Sequence, residues 1–308
     1  MATATSRETA GVRSGEPAVQ TPFRRFASDF AESRIAMAGL VIFAAILSVA
    51  LLAPLISPQD PYYLNQLDIM DGRQPPMTAS MTGFTFWLGS DDQGRDMLSA
   101  IFYGLRTSLG VGAMSALGAL ALGMAAGLVA AYFGGRVESL IMRIVDIQLS
   151  FPAILIALIL LAVLGQGTWK IVLALICVQW AYYARTVRGT ALVERRKEYM
   201  EAARCLALGH DRIVFRHLLP NCLPPLIVVV TVQVAHAIAL EATLSFLGIG
   251  LPITEPSLGL LIANGFEYLL SGKYWISFFP GVALLVTIVS INLVGDQLRD
   301  ILNPRLQK

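Results

Sequence analysis

Long apolar runs are the feature that most constrains what this chain can fold into. A helix needs about 20 consecutive apolar residues to cross the hydrocarbon core of a membrane. Six candidate runs are found along the sequence, at 35–56, 108–133, 140–164, 169–184, 223–246 and 276–295. Charged residues make up only 14% of the chain, whereas soluble domains carry about 25%. The sequence therefore predicts an all-α membrane protein with six transmembrane helices.

The basic residues predict how these helices are oriented. With the amino terminus inside, 18 of the 23 lysines and arginines lie in cytoplasmic segments and 5 lie outside. Such an excess marks the cytoplasmic side, so both termini are predicted to be cytoplasmic. The predicted segments are a partly disordered cytoplasmic leader (1–34), a first transmembrane helix (35–56), an extracytoplasmic loop (57–104), a transmembrane core (105–295) and a cytoplasmic tail (296–308).

Several classes of function are excluded by composition and motifs. With 23 basic and 21 acidic residues, the chain lacks the charge for nucleic-acid binding that rests on bulk attraction. Its cysteines form no CxxC pair, so we expect neither a disulfide framework nor a metal site. No HExxH or GxSxG motif occurs. We therefore expect no catalytic residues and no enzymatic activity in this chain.

Two features predict how the spans pack. Gly123 and Gly127 stand four residues apart in the second run, a spacing that allows two helix backbones to approach closely. Their partner helix lies either in this chain or in another subunit. In the third run, Pro152 lacks an N–H and its ring clashes with the carbonyl of Gln148, so we expect a kink there.

Polar residues inside apolar runs are costly and commonly functional. Gln233, His236 and Glu241 fall on one broad side of the fifth run at 100° per residue, and we expect them to line a translocation path. The alternative for Gln233 is an ordinary hydrogen bond to a neighbouring helix. In the third run, Asp146 is expected to pair with Arg143, three residues earlier.

The segment 185–220, between the fourth and fifth runs, is the only long cytoplasmic connection and predicts two short helices. In the first, one apolar stripe is formed by Met200, Ala203, Leu206 and Ala207. Asp211 is placed to cap a second helix that Pro220 ends. A compact helix pair with small side chains suits a groove on another protein. The alternative is an amphipathic element that lies on the membrane surface.

Within this segment, EYMEAARCLALGHDRIVFRHLLPN resembles the EAA loop of bacterial ABC importer permeases. The family pattern is E-A-A, three residues, G, nine residues, I, any residue and L-P. The residues that match it are Glu201, Ala202, Ala203, Leu219 and Pro220. Ala207 stands where the family usually has glycine, with Gly209 two residues later, and His217 replaces the isoleucine.

The resemblance covers most of the chain. WLGSDDQGRDMLSAIFYGLRTSL (87–109), ALEATLSFLGIGLP (239–252) and FFPGVALLVTIVSINLVGDQLRDILNPR (278–305) are similar to segments of C subunits of dipeptide and oligopeptide (peptide/nickel) permeases. This resemblance implies the fold of type I ABC importer permeases. It also implies an ATPase-coupling site formed by Glu201, Ala202, Ala203, Ala207, Gly209, Leu219 and Pro220.

The resemblance further implies that the chain works with partners in the bacterial cytoplasmic (inner) membrane. These are a second, B-type permease that forms a heterodimer with it, two ATP-binding subunits and an extracytoplasmic solute-binding protein. No GxxxxGK[ST] phosphate loop occurs here, so ATP and Mg²⁺ are expected in the ATPase partners and no cofactor in this chain.

The expected substrate is a dipeptide or oligopeptide, and nickel chelates and glutathione remain open. The expected role of the segment 185–220 is to pass force from the ATPases to the spans without chemistry of its own. The alternative is a proton-coupled secondary transporter in which Glu241 and His236 relay protons, since histidine titrates near neutral pH.

Overall fold

The computed structural model describes residues 22–63, 67–81, 83–252 and 254–302. The predicted leader up to residue 21 and the end of the tail from residue 303 lie outside the described residues. The helices are α1 (Pro22–Glu32), α2 (Arg34–Ile56), α3 (Met97–Phe133), α4 (Gly135–Leu149), α5 (Ala153–Leu164), α6 (Thr168–Glu194), α7 (Glu198–Cys205), α8 (His210–Arg212), α9 (Leu219–Phe246), α10 (Leu258–Phe266) and α11 (Trp275–Leu302). Two short strands, β1 (Thr78–Ala79) and β2 (Thr85–Phe86), form an antiparallel hairpin.

Helices cover all six predicted apolar runs, although some of these helices lack the length and composition of a transmembrane span. Within the described residues, four segments qualify: Arg34–Ile56, Met97–Phe133, His210–Phe246 and Trp275–Leu302. The pair α4–α5 counts as a fifth if it forms one span. α6 is not among them, but Gln179 and Tyr183 on this helix have no exposed surface. Since neighbouring helices shield it, α6 needs less apolar surface of its own.

The kink predicted at Pro152 is confirmed, and it is a complete break between α4 and α5. The two helices meet at 92°, with Pro152 at the position that precedes α5. Gln148 in α4 donates to the carbonyl oxygens of Cys177 and Val178 in α6. Although the helix is broken, these hydrogen bonds attach α4 to α6, and the apolar pattern of the sequence does not reveal them.

Asp146 forms an ion pair, but its partner differs from the predicted one. The Arg185 guanidinium lies 2.5 Å from the Asp146 carboxylate, and both side chains are more than half exposed. Arg143, which is exposed, is not the partner. The contact joins α4 to α6, because Arg185 projects from a neighbouring helix that the linear sequence could not place.

The glycines of α3 pack against α6 within this chain. A Cβ added at Gly123 would lie 2.3 Å from the carbonyl oxygen of Trp180, and one at Gly127 would lie 2.6 Å from that of Ala184. Only glycine lets the two backbones approach this closely. The structure thus decides between the two partners that the sequence left open.

The loop between α2 and α3 is folded by contacts within the chain. The Asp96 carboxylate caps α3 by accepting from the N–H of Ser99 at 2.8 Å. The Gln59 side chain accepts from the N–H of Asp96 at 2.7 Å, which joins the two ends of the loop. Trp275 at the start of α11 donates to the carbonyl oxygen of Ser90 at 3.2 Å. The loop is therefore fixed on one end of the helix bundle.

Candidate coupling surface and cavities

α7 is the first helix of the predicted coupling segment, and it is anchored on one face. Met200 and Ala203 are buried in a cluster with side chains of α3, α6 and α9. The predicted stripe does not continue, because Leu206 is 74% exposed and Ala207 is also exposed. The stripe prediction is therefore wrong for its second half, since α7 ends at Cys205 and the chain turns away.

The turn after α7 is a helix C-cap that requires a left-handed residue. The N–H of Leu208 donates to the Ala203 carbonyl at 3.2 Å, and that of Ala207 donates to the Arg204 carbonyl at 2.9 Å. These two bonds define a Schellman motif, whose left-handed position is usually glycine. Ala207 occupies that position with φ of 50°. The alanine thus adopts the conformation that the family's usual glycine adopts without strain.

Polar contacts fix the start of α7 to the end of α6. The Tyr199 hydroxyl donates to Glu194 at 2.8 Å, and the Lys197 ammonium lies 2.7 Å from the same carboxylate. Burial of the ring and this hydrogen bond to a carboxylate raise the pKa of Tyr199 to about 12. Tyr199 therefore stays a donor at any physiological pH and holds α7 in place.

The second predicted helix differs from expectation at both ends. Gly209, and not Asp211, precedes α8, and Pro220 does not end the helix but lies in the first turn of α9. Residues Ile213–Leu218 between them are π-helical, and π turns are wider than α turns. We attribute the continuation through Pro220 to this widening, which relieves the clash of the proline ring with the preceding turn.

The residues of the predicted coupling site are brought to one connection but differ in exposure. Those that are exposed are Glu201, Ala202, Ala207, Gly209 and Pro220, together with Leu206. We refer to these six as the coupling surface. Ala203 is buried and Leu219 is half-buried, so these two support the surface from below. Leu206 was not among the predicted site residues, because the sequence pattern assigned it to the apolar stripe of the first helix. Its apolar side chain is exposed instead and belongs to this surface.

The three predicted path residues of α9 have different environments. Gln233 is 7% exposed and lines a cavity, and His236 is exposed. Glu241 has no exposed surface; its carboxylate accepts hydrogen bonds from the Ser108 and Ser245 hydroxyls at 2.9 and 2.8 Å. In this structure the Glu241 side chain joins α3 to α9 inside the chain, so its role on a path stays a prediction and its observed contacts are structural.

Two cavities with charged side chains in their linings lie at opposite ends of the bundle. The cavity at the end that carries α7, which we call the inner cavity, has a volume of about 550 Å³ and is lined by residues that include Tyr182, Arg185, Gln233, Asp296 and Arg299. It lies towards the end where α6 terminates, α9 begins and α11 terminates, and α7 lies at this same end.

The outer cavity, of about 520 Å³, lies at the end that carries the folded loop. Its lining includes Asp92, Gln166, Asn264, Glu267 and Tyr268. The inner lining carries two guanidinium groups and one carboxylate, whereas these outer residues carry two carboxylates and no basic group. The two cavities therefore differ in the charge they offer to a solute.

Family models match nearly all of the described chain. The model described as "Binding-protein-dependent transport system inner membrane component" matches residues 95–308. The model described as "N-terminal TM domain of oligopeptide transport permease C" matches residues 21–76. Together they cover α1 to α11 and include the whole coupling surface.

Individual proteins give the same result. A putative peptide transport system permease protein of Brucella suis is 40% identical over 87% of this chain and 87% of its own length. The di/tripeptide transport system permease protein DppC of Pseudomonas aeruginosa is 35% identical over 93% of each chain. In fold, the chain is similar to a structure of the inward-facing MetNI methionine ABC transporter. The TM-score is 0.54 at 22% identity, covering 67% of this chain and 97% of that one.

Proposed function

Because this chain belongs to the binding-protein-dependent transport system inner membrane components, as a peptide ABC permease of the C type, we propose that it imports dipeptides or oligopeptides and is driven by ATPase subunits at the coupling surface. The family consists of transport subunits and not enzymes. The chain is accordingly a multi-pass protein of the inner membrane.

The observation that carries the coupling proposal is the construction of α7. One face is buried on α3, α6 and α9 through Met200 and Ala203, while Glu201, Ala202 and Leu206 are exposed. A displacement of α7 would therefore be passed to these helices through tightly packed side chains. Small and apolar exposed residues, as at Ala202 and Leu206, suit a groove on an ATPase subunit.

The orientation of the chain follows from the same proposal. The coupling surface faces the cytoplasm, where 18 of the 23 basic residues are predicted to lie. Both termini lie on that side, and the folded loop between α2 and α3 faces outward. The outer cavity then opens towards a solute-binding protein, and the inner cavity opens towards the cytoplasm.

The remaining partners complete the transport cycle. A B-type permease forms the other half of the pathway, and the two ATPases bind ATP and Mg²⁺, for which this chain has no phosphate loop. Gln233 and His236 are the path residues that we retain, since Gln233 lines the inner cavity and His236 is exposed. A dipeptide or oligopeptide is the proposed substrate because the named relatives are peptide permeases.

A proton-coupled secondary transporter is not favoured. The family couples to binding proteins, and the carboxylate that would carry protons, Glu241, is enclosed by serine hydroxyls. A mechanism based on a proton relay would also leave the coupling surface without a role.

Reconstituted transport tests the proposal. The complex of this chain, its B-type permease, the ATPases and the binding protein is placed in liposomes, and uptake of a labelled dipeptide is measured with and without ATP. We expect uptake that requires both ATP and the binding protein, and its loss in the variant Ala202→Glu. Uptake driven by a proton gradient without ATP would contradict the proposal.

A further inference from the structure

The inner cavity contains a cation and an anion that form no ion pair with each other. Arg299 and Asp296 stand three residues apart on α11 and both line the cavity. Among the described residues neither side chain forms an ion pair or hydrogen bond, whereas the side chain of Arg185 in the same lining is paired with Asp146 at 2.5 Å. Arg299 is therefore the guanidinium of this cavity that is available to an anionic group.

A buried amide adds a neutral hydrogen-bond donor to the same cavity. The Nε2 of Gln233 is buried and has no hydrogen-bond partner in the described part of the chain. Its main-chain carbonyl is occupied, because the side chain of Gln179 donates to it at 3.3 Å. The Oε1 of the same Gln179 is likewise buried without a partner among the described residues. Leaving a buried donor unpaired costs free energy, so a carbonyl oxygen that met Nε2 after the Gln233 amide turned into the cavity would be stabilised there.

From this arrangement we propose that the inner cavity binds a short peptide with free termini, its carboxylate at Arg299 and a peptide carbonyl at the Gln233 amide. A guanidinium suits a carboxylate because its N–H groups match the two oxygens. Asp296 beside it disfavours a polyanion such as phosphate and favours a zwitterion, whose ammonium it can attract. A volume of about 550 Å³ lies within the range of small-molecule sites.

This inference rests on the proposed function and names the chemistry that the pathway recognises on the cytoplasmic side. A peptide held at Arg299 contacts α11, and one held at Gln233 contacts α9, whose first turn carries Pro220 of the coupling surface. The site therefore lies on helices that a movement of the coupling surface would displace.

Direct binding to the whole complex tests the inference. The nucleotide-free importer, without its binding protein, is placed in lipid nanodiscs and titrated with radiolabelled alanyl-phenylalanine. We expect saturable binding that falls at least tenfold for Arg299→Gln and for Gln233→Leu. The control Arg143→Gln removes an exposed guanidinium outside the cavity and should bind as the unmodified complex does.

Two competitors identify the recognised group. The carboxyl-amidated dipeptide should compete at least tenfold more weakly than the free dipeptide, and inorganic phosphate should not compete in the same concentration range. Equal competition by the amide or by phosphate overturns the proposal, as does unchanged binding by Arg299→Gln. Arg299 is exposed, so this variant keeps the test valid even if Gln233→Leu fails to fold.

The proposed function is judged separately by ATP-dependent uptake of the same dipeptide in the presence of the binding protein. Uptake by the unmodified complex together with unchanged Arg299→Gln binding refutes only the inner-cavity site. Absence of uptake for any peptide refutes peptide import itself.

Discussion

The main-chain N–H of Leu208 donates to the carbonyl oxygen of Ala203 at 3.2 Å and closes the end of α7. The residue between them that makes this bond possible is Ala207, with φ of 50°. The coupling surface therefore depends on a conformation that alanine adopts at a cost.

The variant Ala207→Gly should stabilise the protein by about 0.5–1 kcal/mol. A left-handed conformation costs a non-glycine residue about 1–2 kcal/mol, and the added freedom of glycine in the unfolded chain offsets about 0.4–1 kcal/mol. Unfolding in detergent, followed by circular dichroism, measures the change. The control Ala202→Gly lies inside α7 and should destabilise by about 1 kcal/mol. Equal effects of the two variants would contradict the assigned cap.

The close approach of α3 to α6 predicts that replacing glycine by alanine affects the stability differently at Gly123 and at Gly110. In Gly123→Ala the new Cβ meets the Trp180 carbonyl oxygen at 2.3 Å, whereas a Cβ at Gly110 meets nothing within 4 Å. We expect Gly123→Ala to destabilise by about 1–3 kcal/mol and Gly110→Ala to be neutral or up to about 1 kcal/mol stabilising. Thermal unfolding of the purified chain compares them, and a loss of stability at Gly110 alone would refute the packing.

Glu241 should behave as a structural residue. Glu241→Leu removes the acceptor of the Ser108 and Ser245 hydroxyls, and each buried group left unsatisfied costs about 1–3 kcal/mol. Glu241→Gln keeps one acceptor oxygen and should lose less. Recovery of folded protein from membranes distinguishes the two variants. If Glu241→Leu folds normally and only transport is lost, the side chain belongs to the path after all.

Tyr199 should make the stability of the coupling segment depend on alkaline pH. Its pKa is raised from about 10 to about 12 by burial and by the hydrogen bond to Glu194, so the folded state favours the protonated ring. The stabilisation is complete below pH 10 and is lost as the pH rises towards 12. Melting temperatures between pH 8 and 11 should therefore fall more steeply for the unmodified chain than for Tyr199→Phe. Parallel curves would contradict the assigned bond.

Hydropathy and motifs predicted much of this architecture, because the apolar runs and the break at Pro152 are properties of local sequence. The left-handed cap at Ala207 could also have been inferred from the glycine of the family pattern. What could not be predicted depends on neighbours distant in sequence. Glu241 shares a helical side with Gln233, but only the contact with Ser108 from α3 reveals its burial.

The coupling segment shows the same division between local and distant information. A stripe of apolar residues does not reveal that α7 ends at Cys205, so Ala203 is buried while Leu206 is exposed. Pro220 signals a helix end in isolation, but the π-helical turns before it allow the helix to continue. In both places the backbone conformation next to the motif decides which residues a partner can reach.

Copurification tests the central claim, that ATPase subunits dock on the coupling surface, most directly. The tagged chain is purified from its native membrane in mild detergent, and its companions are quantified by mass spectrometry. Two matched variants place the same charge on exposed alanines, Ala202→Glu on α7 and Ala27→Glu on α1. We expect a second permease and ATPase subunits with the unmodified chain and with Ala27→Glu, and loss of the ATPases alone with Ala202→Glu. ATPases retained in full by Ala202→Glu, or a chain that is recovered without companions, would contradict the account.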